Sequence, residues 1–169
     1  MDYMKQIKLN QGKFALVDDS DFEFLSQWKW HLAGRNYEYA YRSTHIGSHK
    51  DGSRKQVNYS MHREIMKAPK DLQVDHINGN KLDNRRDNLQ LCNNQQNHQK
   101  IGLTAKNTSG YKGVSYIKRK WQNKRWKAEI KINNKVTYLG SFFTKEEAAK
   151  VYNEAAQKYY GNFAYLNQI

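Results

Sequence analysis

Val74-Asp75-His76-Ile77-Asn78-Gly79-Asn80-Lys81-Leu82-Asp83-Asn84-Arg85-Arg86-Asp87-Asn88-Leu89 is the stretch on which the reading of this chain turns. Residues 74–77 read as a strand, 78–86 as a loop rich in Asn and Gly, and 88–91 as a returning strand. A polar helix from Asn93 or Asn94 to about Lys100 follows and carries Asn97. The unit is strand, loop, strand, helix. Asp75 is a hard oxygen ligand of the kind Mg²⁺ takes. His76 has an unperturbed pKa near ~6.5 and can accept a proton at neutral pH. Adjacent strand residues point to opposite faces. The pair therefore serves one site only if the strand end is irregular or if the two flank a scissile group. Asn78-Gly79-Asn80 reads as a turn that shapes the loop.

The rest of the chain supplies a setting for that chemistry. Its 169 residues leave room for one medium domain or two small ones. The formal net charge is +13, which favours a polyanionic partner. The charge is uneven: residues 1–100 carry a net of +4 and residues 101–169 a net of +9. A nucleic-acid surface is thus expected mainly in the C-terminal part. One cysteine, Cys92, excludes an intrachain disulfide framework and a cysteine-based zinc site. The opening residues lack an apolar signal core, and no apolar run is long enough to span a bilayer. The expectation is a protein free of membrane, in the cytoplasm of a bacterial or phage-infected cell.

Upstream of the motif, 7–9 and 13–17 flank Asn10-Gln11-Gly12 as a hairpin. Asp18 to Asp21 offer N-caps for a short helix over 22–27. Tyr37, Tyr39 and Tyr41 alternate as in a half-buried strand, 45–55 reads as a polar loop, and 57–59 as the return strand. Ser60 is placed to cap a helix over 61–67 that Pro69 ends.

With these residues in view, 73–97 resembles the HNH nuclease family, in its phage and intron homing endonuclease branch. Asp75-His76 is the anchor and Asn84-Arg85-Arg86-Asp87-Asn88-Leu89 the second element. The resemblance implies a ββα-metal fold of two strands and a helix around one divalent cation, Mg²⁺ or Mn²⁺. Carried over by position, Asp75 is a metal ligand and His76 the general base. Asn88 is the middle Asn that ties the loop together, and Asn97 is the second metal ligand. His98, next to it, is the competing residue, since neighbours on a helix face about 100° apart and only one can point at the metal. Arg85 or Arg86 is expected on a phosphate. His62-Arg63 precedes the motif, with Arg63 expected on phosphate and His62 more in keeping with a buried structural role.

Residues 102–110 read as a linker. Strands follow at 113–117, 125–132 and 136–142, with Asn133-Asn134 as the turn of the last pair. Thr144-Lys145-Glu146-Glu147 is a capping-box sequence. It opens a helix with Ala148, Val151, Tyr152, Ala155 and Tyr159 on one face, closed by Gly161. Tyr111-Lys112-Gly113-Val114, Trp126 to Lys131, Tyr138-Leu139-Gly140-Ser141-Phe142 and the closing Gly161 to Asn167 resemble the AP2 DNA-binding domain. That family implies a three-stranded antiparallel sheet packed on one helix, with the sheet entering the major groove. Residues 106–135 hold ten Lys/Arg and one acid, Glu129. Lys127, Glu129 and Lys131 share a strand face, opposite Trp126, Ala128 and Ile130. The expected DNA contacts are Lys112, Lys127, Glu129, Lys131 and Tyr138, with Trp121 beside them. Ser115 stands where plant members usually have Arg, so their base specificity does not transfer.

The sequence thus predicts an α+β chain. Residues 1–60 form a β-rich region bracing the nuclease, 61–101 the nuclease module, and 111–169 the DNA-binding domain. The expected activity is metal-dependent, homing-type cleavage of double-stranded DNA, by a monomer or a higher state that the sequence leaves open. The alternatives are a catalytically inactive DNA-binding regulator and an RNA-binding protein.

Overall fold

Short polar turns set the strand boundaries of the chain. A computed structural model describes residues 4–33, 38–118, 123 and 125–169. Tyr37 and Trp121 lie outside the described residues. In chain order the elements are β1 (Met4–Lys8), β2 (Phe14–Asp18), α1 (Asp19–Ser26), β3 (His31–Ala33), β4 (Tyr39–Ser48), β5 (Arg54–Ser60), α2 (Met61–Met66), β6 (Gln73–His76) and β7 (Leu89–Cys92). Then come α3 (Asn94–Lys100), β8 (Val114–Tyr116), β9 (Trp126–Ile132), β10 (Lys135–Phe142) and α4 (Lys145–Tyr160). The described residues form a mixed α/β chain of small antiparallel sheets and four helices. None of those helices is long and apolar enough to cross a membrane. Contacts divide the chain into two units, Met1–Asn94 and Gln95–Ile169.

In the first unit, β1 and β2 pair antiparallel around Gln11 and Gly12, both at positive φ. A second sheet has the order β3-β4-β5, and a third pairs β6 with β7. One core joins these layers: Ile7, Leu9, Ala15 and Val17 of the first hairpin meet Leu25, Trp30, Leu32, Ala40, Met61, Ile65 and Leu89. Apolar residues upstream of the motif are therefore packed on the motif's own strand. Arg42 crosses between layers, its guanidinium 4.2 Å from the Trp28 ring and 4.1 Å from the Tyr59 ring and ion-paired with Glu64 at 2.9 Å.

Three sequence expectations change here. Residues 45–55 are mostly strand, with only 49–53 left as the turn, because His49 donates to the Ser53 carbonyl (2.8 Å) and Asp51 accepts from the Ser53 amide (2.9 Å). This ribbon is exposed on both faces, so it has no apolar alternation to read. Asp18 occupies the N-cap of α1, which starts earlier than expected, but its carboxylate accepts from the Arg86 amide instead of capping (2.8 Å). Ser60 likewise sits at the N-cap of α2 without a side-chain cap bond. That helix ends at Met66, with Lys67 left-handed (φ 46°) ahead of Pro69.

In the second unit the order is β10-β9-β8. Asn133 and Asn134, both at positive φ, make the tight turn that suits a right-twisted hairpin. Strand β9 alternates as a half-buried strand should: Ala128 and Ile130 are buried and pack with Ala148, Ala149, Tyr152 and Ala156 of α4. The buried stripe of α4 is thus turned from the expected face. Tyr159 is exposed, and Ala149 and Ala156 take inner positions. The Thr144 hydroxyl accepts from the Glu147 amide (3.1 Å), and the Glu147 carboxylate accepts from the Thr144 amide (3.4 Å), completing the capping box. Residues 107–110, read as part of a linker, are tied into the unit: the buried Ser109 hydroxyl donates to the Val114 carbonyl at 2.8 Å.

Candidate active site

The β6–β7 register is regular at Asp75↔Gln90 and His76↔Leu89. Regular pleating divides Asp75 and His76 between the two faces of the hairpin. On one face Asp75 is half-buried and accepts a hydrogen bond from Gln90 Nε2 at 2.9 Å. On the other, His76 is only 4% exposed. Its ring lies 5.3 Å from that of His62 and 6.0 Å from that of Tyr39, and its Nε2 is 3.2 Å from Asn84 Oδ1. Asn84 has no exposed surface, and its Nδ2 donates to the Leu82 carbonyl at 3.3 Å, which fixes Oδ1 toward the imidazole. An amide oxygen only accepts, so this contact fits a proton on Nε2.

The loop between the strands is held by its own polar side chains. Asn78 Oδ1 accepts from the Asn80 amide (2.8 Å), Asn80 Oδ1 accepts from the Leu82 amide (3.1 Å), and Gly79 takes positive φ. Asn88 is buried; its Oδ1 accepts from the Asn78 amide (2.9 Å) and its Nδ2 donates to the Asp83 carbonyl (2.7 Å). Asp83, also buried, receives both Nε and Nη2 of Arg85 at 2.7 Å, and this guanidinium holds its carboxyl below the usual range. The first hairpin clamps the loop from outside. Leu16 donates to the Leu82 carbonyl and accepts from the Asn84 amide, each at 2.8 Å. Such a network satisfies every buried polar group it uses, which is what makes a buried polar loop stable.

The arginines read as phosphate ligands are engaged within the protein. Arg85 is paired with Asp83, and Arg86 forms a bidentate pair with Asp21 (2.8 and 2.6 Å). Arg63 donates to the carbonyls of Leu72 (2.6 Å), Ala68 (3.1 Å) and Pro69 (2.6 Å), bracing the segment that leads into β6. About half of the Arg86 side chain still faces solvent. Asn97 and His98 lie on α3, Asn97 half-buried and His98 exposed.

His62 is 8% exposed, and its Nδ1 has no hydrogen-bond partner among the described residues. Burial first, then the neighbouring His76 and Arg63, lower its pKa to about 3. A folded-state pKa below the unfolded value means that the unfolded chain binds the extra proton between about 6.5 and about 3. Stability from this group is therefore full above that window and is lost as the pH falls through it. Denaturant melts of His62→Phe are expected to show a flatter decline than the wild type over that range. An equally steep decline in the variant removes His62 as its source.

The residues present fit a hard cation. Among the described residues no three His, Cys, Asp or Glu side chains are grouped on a common metal position. A partly exposed carboxylate such as that of Asp75 suits Mg²⁺, which keeps several waters and binds through one or two protein oxygens plus substrate phosphate.

In the second unit, cross-strand partners share a face. Glu129 lies opposite Tyr138, Lys131 opposite Val136, and Lys127 opposite both Ser141 and Ser115. This face carries Lys127, Glu129, Lys131 and Tyr138 together. Lys127 and Glu129 form an ion pair at 2.7 Å, and Tyr138 is 58% exposed. Lys112, grouped with these by the sequence, points elsewhere: its Nζ donates to the carbonyls of Gln99 and Ile101, both at 2.5 Å. Sequence reasoning missed Asn84, Asp83 and Tyr39. An Asn or Asp in an Asn-rich loop reads as solvated, and only tertiary burial marks these out.

The family described as HNH endonuclease matches residues 67–99. An uncharacterized HNH endonuclease of Acanthamoeba polyphaga mimivirus is 31% identical over 99% of this chain and 81% of its own. Protein 3.8 of Escherichia phage T7 is 31% identical over 57% of this chain and 76% of its own. The dehydration-responsive element-binding protein 2E of Oryza sativa subsp. japonica is 51% identical over 34% of this chain, but over only 17% of its own.

Proposed function

Given that the chain belongs to the HNH endonuclease family, we propose that it is a divalent-metal-dependent endonuclease hydrolysing phosphodiester bonds in duplex DNA. The observation that carries this reading is the seat of His76, a buried imidazole whose Nε2 faces the fixed amide oxygen of Asn84. On this reading β6, β7 and α3 are a ββα-metal module within residues 61–101, with residues 1–60 bracing it. Asp75 supplies one oxygen donor and Asn97 the second; the family match runs through both. A bound Mg²⁺ or Mn²⁺ supplies charge neutralisation at the phosphate and the leaving oxygen.

The chain's own residues do the rest. His76, on the face of the hairpin opposite Asp75 and held by Asn84, flanks the scissile group from the other side and takes a proton from the attacking water. Asn88 keeps the loop closed through Asn78 and Asp83. Arg85 and Arg86, on the rim, give a positive edge to the phosphate backbone and exchange part of their pairing with Asp83 and Asp21 for it.

Residues 111–169 act as an AP2-like DNA-binding domain. The rice relative, named for binding a dehydration-responsive element, supports this. So does the surface shared by Lys127, Glu129, Lys131 and Tyr138. Tethering a weakly discriminating nuclease to such a module raises its effective concentration at chosen sites. A homing endonuclease of a mobile element is the biological role that fits.

The test compares duplex DNA with structured RNA, each with Mg²⁺ and with EDTA, at matched salt. Cleavage of the duplex alone, and only with metal, is expected. Tight duplex binding without cleavage at any Mg²⁺ or Mn²⁺ concentration would identify a DNA-binding regulator instead, and preference for RNA would overturn the substrate.

A further inference from the structure

We propose that Lys112 is a positioning residue that fixes α3, and Asn97 with it, to the sheet and helix of the second unit. This rests on the reading of Asn97 as a metal donor.

Helix α3 is short and lies at the surface. It spans seven residues and none of them is buried. A helix that short is marginal by itself, so its persistence depends on tertiary anchors. The carbonyls of a helix's last turn look beyond the helix for donors. Lys112 supplies one at this end: its ammonium donates to the carbonyl of Gln99, in the last turn, and to that of Ile101, just past it. A cation there also opposes the negative end of the helix dipole.

The anchor is itself fixed. The Lys112 amide donates to Asn167 Oδ1 (2.6 Å), and the Lys112 carbonyl accepts from Asn167 Nδ2 (3.1 Å). Asn167 is buried, and its backbone exchanges two hydrogen bonds with the Asn153 side chain on α4 (2.8 and 2.9 Å). A continuous path thus runs from α4 through Asn167 and Lys112 to the end of α3. The chain leaving α3 is pressed onto the same place. A Cβ at Gly102 would lie 2.8 Å from the Tyr165 ring, and that ring sits 5.5 Å from Lys112 Nζ. Burial of the ammonium lowers its pKa to about 8, as befits a group turned away from water.

The alternative is that Lys112 contacts a DNA phosphate, and the two roles separate cleanly. The experiment uses the full chain as wild type, Lys112→Met, Lys112→Arg and Asn97→Ala. In EDTA, the salt dependence of duplex binding is expected to be unchanged in Lys112→Met. A lost phosphate contact would reduce the slope of log K against log salt by about 0.9. Amide exchange over residues 95–101 is expected to speed up in Lys112→Met and to recover in Lys112→Arg. The Mg²⁺ concentration for half-maximal nicking should rise about tenfold or more in Lys112→Met, as when a supporting residue behind a metal ligand is lost.

A reduced salt slope with unchanged exchange overturns the proposal. So does faster exchange with an unaltered Mg²⁺ requirement, when Asn97→Ala does alter it. If Asn97→Ala leaves the Mg²⁺ requirement unchanged, the reading of Asn97 as a donor fails, and this proposal with it. If the wild type does not nick at all, the proposed function fails separately, while exchange and salt slope still decide whether Lys112 is the clamp.

Discussion

Replacing His76 with Gln is expected to lower the rate of duplex cleavage about 10²–10⁴-fold, the range for loss of a general base, and to leave duplex affinity unchanged. The choice of Gln isolates the base from the architecture. His76 is buried against Tyr39 and His62, so truncation to Ala would open a cavity and confuse stability with chemistry. The Gln amide can still donate to Asn84 Oδ1, where His76 Nε2 now sits, but it has no lone pair that titrates near neutrality. Single-turnover nicking beside a binding titration checks this. A His76→Gln protein that nicks at the wild-type rate means that the base is another group.

The second large effect is on folding. Gly113→Ala is expected to unfold or severely weaken the second unit. Gly113 has φ +74°, and an added Cβ would lie 2.1 Å from the Tyr152 ring and 2.7 Å from the Glu129 carbonyl oxygen. Tyr152 is buried and packed with Ile130 and Ala156, so a shift of its ring disturbs that cluster. Overpacking costs about 1–3 kcal/mol, and the left-handed backbone adds about 1–2 kcal/mol for a residue with a Cβ. At roughly 4–8 °C per kcal/mol in a domain of this size, the melting temperature should fall by about 10 °C or more. Circular dichroism melts of the full chain, followed by proteolysis to show which unit opens, test it. A variant melting within a degree or two of the wild type would mean that the close approach at Gly113 relaxes without cost.

Much of this was legible from residue types alone, because local chemistry determines it. Asn133-Asn134 demands a tight hairpin turn, and Thr144 with Glu147 demands a helix start. Regular alternation from Trp126 to Ile132 demands a half-buried strand. All three are found where the sequence puts them. Residues 45–55 were misread because an exposed two-stranded ribbon has no buried face and so no period. The centre was legible as a string of residue types but not as an arrangement. Asp75 and His76 stand out in sequence, yet their division between two faces, the seat of His76 on Asn84, and the clamp of Leu16 on the loop are tertiary facts. Charge was legible as residue types but not as pairing: Arg63, Arg85, Arg86 and Lys112 stand out as cations in the sequence, and only the fold sets the carbonyls and carboxylates that each engages.

The measurement that bears most directly on the account is conversion of supercoiled plasmid by the wild type and by Asp75→Ala, each with Mg²⁺ and with EDTA. The account predicts nicked or linear DNA from the wild type with Mg²⁺ only, and none from Asp75→Ala under either condition. Cleavage by Asp75→Ala at the wild-type rate, or by the wild type in EDTA, would contradict it.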